Sequence, residues 1–396
     1  MHVFNRLYFY SYCSYLGLFS GLILAVFLKA TMLGTTFLWQ TLPQWLNASQ
    51  WYPLIIGGFG GAVIGLLRKK YGDYPQTFFD ILATIKNTGS YPYQKTTLIF
   101  IATLLPLIFG SSVGMVAGMI GIIAALFFWS KNKLLTMNKK HLLPVSKKTT
   151  DKATASALSN DQLLSRATKF FAGITVILSA LLILLLIRHF FGKYSAGFPR
   201  FIAVTPTKMD LLLMIVYLVC GIGLGLFFKK TDTWCATISH KIPPVLQEIL
   251  AGLSVGLAIA YLPFIPFSGQ NQMLTLLAEY QKYAPLALIG VAFLKIILTN
   301  FCIQLGLKGG FFFPLVLAAV CLGFGLSLSL FPTNIAHATF AAAILSSATL
   351  SVFSLNPLLI TGLLLLCFPL KLGIWIFTAS LLVNMFMKRR CNEKKA

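Results

Sequence analysis

The chain has 396 residues, 57% of them hydrophobic and only 10% charged, with 32 Lys and Arg against 9 Asp and Glu and a net charge of +23. An ordinary soluble domain is about 45–50% apolar and about 25% charged, so a mean hydropathy of +0.82 excludes a soluble fold and defines an all-α polytopic membrane protein. The cations lie between apolar runs rather than along one face, which argues for orientation in a bilayer and against a nucleic-acid partner.

A spanning helix needs roughly 20 apolar residues. In chain order the expected spans are 11–33, 51–67, 95–129, 168–191, 209–228, 246–265, 284–306, 309–331, 336–353 and 357–387. The first follows Arg6, exceeds a signal-peptide core and shows no small-residue cleavage site, so it is expected to stay as an uncleaved span. Segment 51–67 is short and carries Gly57, Gly58, Gly60, Gly61 and Gly65. Segments 95–129 and 357–387 are too long for one span each, and they are expected to break at Pro106 and Gly110 and at Pro369 and Gly373. Helices stop inside a bilayer only where the freed backbone groups meet protein, a polar cavity or a ligand.

Basic residues cluster at Arg68, Lys69 and Lys70, through 130–169, at Lys229 and Lys230, and in the tail at Lys388, Arg389 and Arg390. All of these are expected on the cytoplasmic side. The 130–169 stretch is expected to be a flexible, solvated loop, and residues 1–396 to form a single transmembrane domain. The seven cysteines are scattered, with no CxxC pair, so neither a disulfide framework nor a zinc site is expected. The five histidines have no partner at metal-ligand spacing, and no P-loop occurs. An enzyme, an ATP-driven pump, a metal and a cofactor are all unexpected on these grounds.

Two glycine-rich breaks occur in comparable settings, one in each half. The first runs through Pro106, Gly110-Ser111-Ser112-Val113-Gly114 and Gly118; the second is Lys308-Gly309-Gly310-Phe311-Phe312-Phe313-Pro314. A helix start leaves backbone N–H groups unpaired and carries positive partial charge, so two such starts converging at mid-membrane would hold an anion without a cationic side chain. The alternative is that the glycines let helices pack closely. In the second break, glycine freedom followed by a proline that suits a first helical turn points to a loop-to-helix start.

The second break resembles the Gly-Gly-X-Phe-Ala-Pro signature of the CLC chloride channels and anion/proton exchangers. Gly110-Ser111-Ser112-Val113-Gly114 resembles that family's Gly-Arg-Glu-Gly-Pro signature or its Gly-x-Ser-x-Gly-Pro variant. Tyr71-Gly72-Asp73-Tyr74-Pro75 resembles the Gly-Ser-Gly-Ile-Pro signature, and 340–366 with Asn356-Pro357 resembles a later family segment. The resemblance covers about residues 50–387. It implies a CLC-like inverted-repeat fold of broken, tilted helices, with one repeat over about 51–191 and the second over about 209–387. It further implies a multi-pass cell-membrane homodimer in which each protomer carries its own pore for chloride or a similar small anion. The anion-binding residues it implies are Gly72, Asp73, Ser111, Ser112, Val113, Gly114, Gly310, Phe311, Phe312 and Phe313.

The chain also departs from the family pattern. The exchangers' glutamate in the second signature is replaced by Val113, or by Val116 in the alternative alignment, and the following proline by Met115. No side chain in 95–129 carries negative charge. The family's C-terminal anion-binding tyrosine is not matched, since the last tyrosine is Tyr283, and CBS domains are not expected after the final span. The first signature's serine falls at Gly72 or Asp73, and an aspartate beside an anion is unfavourable. The remaining acids lie near span ends or in loops, and His337 and His189 read as structural. Lys295 is a cation deep in the apolar run 284–306. It is expected either to draw anions to a vestibule, and so joins the candidate anion-binding residues, or to snorkel to the interface, with Asn300 and Gln304 hydrating that path. The expected activity is passive conduction of an anion, chloride first. The alternatives are a proton-coupled chloride or fluoride exchanger and a transport-inactive scaffold.

Overall fold

The computed structural model describes residues 2–141 except 75 and 77, residues 174–179, 181, 182, 185 and 189, and residues 199–393 except 203, 263, 332 and 333. Among these there is no strand. The helices are α1 (His2–Thr36), α2 (Leu42–Trp45), α3 (Tyr52–Tyr71), α4 (Phe78–Thr88), α5 (Thr96–Ile108) and α6 (Met115–His141). They continue as α7 (Lys208–Ser239), α8 (Leu246–Tyr261), α9 (Gln270–Glu279), α10 (Pro285–Gln304) and α11 (Phe312–Leu330). The last are α12 (Ile335–Ser351), α13 (Pro357–Leu364) and α14 (Gly373–Glu393). Five described stretches are long and apolar enough to cross a membrane: Phe9–Trp45, Lys208–Ser239, Pro285–Gln304, Phe312–Leu330 and Leu370–Arg389. Between them lie shorter apolar helices; the 17 residues of α12 reach only about 25 Å at 1.5 Å per residue.

Helices occupy the expected spans other than 168–191 among the described residues, with three differences. Pro106 does not break its helix but sits in the last turn of α5, and the chain turns at Gly110 instead. α7 does not stop at Lys229 and Lys230 but runs to Ser239, because long basic side chains are good helix formers and no Gly or Pro stops it earlier. α6 continues to His141, into the stretch expected to be loop. The rest of that loop, 142–169, and much of the expected span 168–191 lie outside the described residues; those described within 174–189 are helical.

The chain divides into two compact units that interleave along the sequence. One comprises Met1–Leu33, Phe78–Phe100 and Met119–Ser195; the other comprises Gly34–Thr77, Ile101–Gly118 and Ala196–Ala396. In the first, Phe27 is fully buried against Phe100 with ring centroids 5.3 Å apart, and Phe19 meets Trp129 at 5.4 Å on its surface. In the second, α11 and α12 form the centre, and every residue of α12 from His337 to Ser351 is buried. Its polar start is tied down. Thr207 and Asp210 form a reciprocal capping box at the start of α7, and Asp210 Oδ1 lies 2.5 Å from His337 Nδ1 in the first turn of α12.

The glycine-rich segment in α3 proves to be a packing surface. α3 and α8 cross so closely that a Cβ on Gly57 would sit 2.2 Å from the Gly252 carbonyl oxygen, and one on Gly252 would sit 2.0 Å from that of Gly57. The contacts one turn to either side match: Gly61 meets the Glu248 oxygen at 2.1 Å and Gly256 meets the Pro53 oxygen at 2.3 Å. The pairs 53/256, 57/252 and 61/248 describe a local two-fold relation, antiparallel and self-complementary. Such small-residue seams let membrane helices gain dispersion energy at backbone distance. Gly57→Ala is expected to cost about 1–3 kcal/mol, the usual range for overpacking, seen as a lower melting temperature of the detergent-solubilised protein.

Candidate anion site

Both glycine-rich breaks are built the same way. α5 ends with Gly110 at φ +80, its N–H on the Leu107 oxygen and the Ser111 N–H on the Pro106 oxygen. α10 ends with Gly306 at φ +94, its N–H on the Ile303 oxygen and the Leu307 N–H on the Cys302 oxygen. Each is a Schellman termination, whose left-handed residue only glycine adopts without strain. Four residues after each stands a second glycine, and these two meet. The Gly114 N–H donates to the Gly310 oxygen at 2.5 Å, and the Gly310 N–H donates to the Gly114 oxygen at 2.8 Å, an isolated antiparallel bridge. α6 and α11 start immediately beyond, at Met115 and Phe312. Two helix N-termini are thus tied together by the residues that lead into them, and their first-turn amides, which have no intrahelical acceptor, bring positive partial charge to one place. Pro314 sits in the first turn of α11, where a missing N–H costs nothing.

Ser111, Ser112 and Val113 at this junction are small and buried, and no side chain of 110–114 or 309–314 carries negative charge. Val113 is fully buried, and its Cγ2 lies 2.5 Å from where a Gly309 Cβ would be. The Ser111 hydroxyl is buried with no hydrogen-bond partner. A buried polar group left unpaired costs about 1–3 kcal/mol, so Ser111 is the group with spare capacity for a ligand. Ser112 is committed to Thr299 Oγ1 at 3.0 Å and the Ile265 oxygen at 3.4 Å. The amides of Gly114 and Gly310 are spent on each other, so the backbone donors left for an anion are those of the two first turns. Phe313 is fully buried beside Phe312, while Phe311 packs against Phe353 and Phe228 with centroids 5.0 and 5.5 Å away.

Gly72 caps α3 at φ +89, with its N–H on the Arg68 oxygen and open space where a Cβ would go. The charge of Asp73 does not stand alone. Its carboxylate is held by Arg68 Nε at 2.9 Å and by the Lys308 ammonium. The first signature is thereby pinned to the third, two residues before Gly310, and the repulsion expected from Asp73 is offset by two cations.

Lys295 does not snorkel. It is 0% exposed and donates to the backbone oxygens of Ile265 and Phe267, both at 2.6 Å, and of Pro266 at 3.5 Å. Asn300 and Gln304 do not hydrate a path from it. Asn300 donates to the Phe228 oxygen at 2.9 Å and Thr231 Oγ1 at 2.6 Å, and Gln304 to Asp232 Oδ1 at 2.7 Å, all of which staple α10 to α7. Thr299 escaped the sequence reading, although it lies one turn from Lys295 and donates to its backbone oxygen at 2.8 Å. Glu248 escaped too: it is fully buried, with Arg68 Nη1 at 2.6 Å. No group of three or more His, Cys, Asp or Glu capable of holding a metal occurs among the described residues.

An all-helical membrane chain whose broken helices start face to face defines an ion-transport fold of the inverted-repeat kind. Residues 161–388 match the family model described as voltage gated chloride channel, and the chain belongs to that family, the CLC anion transporters. Solved structures share the fold, among them the following two. A slow cyanobacterial Cl-/H+ antiporter is similar at a TM-score of 0.68 and 17% identity, covering 98% of this chain and 99% of that one. A CLC-type fluoride/proton antiporter is similar at a TM-score of 0.60 and 15% identity, covering 97% of this chain and 96% of that one. No curated protein matches the chain.

Proposed function

We propose that each chain is a passive pathway for chloride through the cell membrane. The ion is held between the first turns of α6 and α11 beside Ser111, in the setting of residues 72–73, 111–114 and 310–313. The observation that carries this reading is the junction itself: two tied helix starts and an unpartnered, buried Ser111 hydroxyl, with no carboxylate on the segment. An anion is stabilised there by dipoles and hydroxyls. With no carboxylate on 95–129 and the Asp73 carboxylate held by Arg68 and Lys308, no free acid is at hand to compete for that seat. The test is efflux from chloride-loaded liposomes with external pH recorded together. Chloride release on adding valinomycin, without proton movement, is the expected result. Proton movement in fixed ratio to chloride overturns passivity, and no release of chloride, fluoride or nitrate means a transport-inactive member.

Ser111→Ala separates a ligand-binding hydroxyl from a merely buried one. Removing an unpaired polar group is expected to leave the ion-free protein as stable or more so. Losing a hydrogen bond to an anion, worth about 1.5–3 kcal/mol, is expected to weaken chloride binding roughly tenfold to a hundredfold, read from the chloride dependence of efflux.

Proton-coupled exchange, the second reading, has one observation in its favour: the buried Asp210–His337 pair at 2.5 Å, a carboxylate and an imidazole joined inside the chain. His337→Gln abolishes proton movement in the efflux assay if that reading holds and leaves chloride release unchanged if it does not. The proposal includes a homodimer with one pathway per chain, which the mass of the detergent-solubilised particle tests.

A further inference from the structure

Resting on the anion seat proposed above, we infer that Lys295 is its fixed countercharge, a specificity-determining residue that holds the anion through space rather than by contact. The ammonium is completely buried, and among the described residues every acceptor it has is a neutral backbone carbonyl. Such a charge, taken out of water without an opposing one, is strongly disfavoured. The fold nevertheless builds a dedicated cradle for it. Phe267, which donates its N–H to the Gly110 oxygen at 3.0 Å, is held at φ +62, a conformation that non-glycine residues rarely adopt. That turn aims the Ile265 and Phe267 oxygens at Nζ.

The cradle and the first break are one structure. The Ile265 oxygen that accepts from Lys295 at 2.6 Å also accepts from Ser112 at 3.4 Å, which bounds the distance from Nζ to Ser112 Oγ at 6.0 Å (2.6 plus 3.4). Thr299, one turn along α10, bonds Ser112 from the other side. The ammonium therefore sits behind the Ser111–Ser112 turn with all its donors spent on carbonyls. It cannot coordinate the ion and does not have to. A unit charge this close, at an effective dielectric of about 20, shifts the affinity of an anion nearby by roughly tenfold or more and opposes a cation by as much. The mobile anion is the counter-ion that the protein itself omits.

The test compares Lys295→Met, Lys295→Gln and Lys295→Arg by chloride-dependent melting in a gluconate background and by efflux. Gln keeps donors for the carbonyls without the charge, and Arg keeps the charge. Wild type is expected to melt higher as chloride is added; absence of that shift overturns the anion seat itself. Given the shift, Met and Gln are expected to raise the chloride concentration for half-effect at least about tenfold while Arg retains binding. Wild-type chloride affinity in either folded neutral variant overturns the countercharge, since a purely structural lysine would change melting at zero chloride and leave affinity alone. Should both neutral variants be recovered unfolded, Arg decides, and a folded Arg variant without a chloride shift overturns the proposal.

Discussion

Gly309→Ala is expected to reduce anion flux about a hundredfold, the order that an ångström-scale displacement costs a positioned site. The new methyl carbon would lie 2.5 Å from Val113 Cγ2 and 2.6 Å from Val113 Cβ. Because Cβ is involved, turning Val113 to another rotamer does not relieve the clash, and the two breaks must move apart. The Gly114–Gly310 bridge is the first contact to suffer, and with it the convergence of the α6 and α11 starts. Efflux from liposomes measures the loss. Val113→Gly removes the opposing carbon, so the double variant is expected to recover most of the flux, a coupling that two independent lesions do not show. Failure of the second substitution to rescue would mean that Gly309 acts through its own backbone and not through Val113.

Arg68→Met is expected to destabilise the protein by about 3–5 kcal/mol, the cost of leaving a buried charge without its partner. The Glu248 side chain is 0% exposed, and one of its oxygens depends on Arg68 Nη1 at 2.6 Å while the other has no partner. Its place in the first turn of α8 favours the carboxylate through the helix dipole, but by less than the lost pair. Glu248→Gln keeps the shape and removes the charge, so it is expected to cost less, and adding it to Arg68→Met should restore part of the stability. Flux is expected to fall as well. A Cβ on Gly306 would touch Glu248 Oε1 at 2.3 Å, so the same carboxylate lies over the turn that leads into Gly310. Thermal unfolding in detergent at several chloride concentrations separates the two effects.

The sequence was most legible where structure is local. The Gly-Gly before three phenylalanines and Pro314 marked a helix start because backbone freedom and a missing N–H act within a few residues, and α11 begins at Phe312. Pro106 misled because a proline near a helix end resembles a break, whereas the left-handed conformation of Gly110 does the breaking. Lys295 stayed undecided for a physical reason. Depth in an apolar run does not say what a side chain faces, and its acceptors come from a loop some thirty residues earlier. Ser112 and Thr299 are 187 residues apart, and Arg68 and Glu248 are 180 apart, so neither pair leaves a periodic trace. Glu248 read as an acid near a span end, which it is, yet the close crossing of α3 and α8 buries that end.

The near two-fold matching of the Gly57–Gly252 crossing and of the Gly114–Gly310 bridge bears on direction. If the proposed seat follows that two-fold relation, it looks the same from either mouth, and the backbone alone is expected to pass an anion equally well both ways. Any rectification has to be written by side chains that the relation does not duplicate. The Asp73–Lys308 pair beside one break and the Lys295 cradle behind the other are of that kind. Under the proposed passive pathway, inward and outward current are therefore expected to differ by what a few charged residues do, on a frame that is itself indifferent to direction.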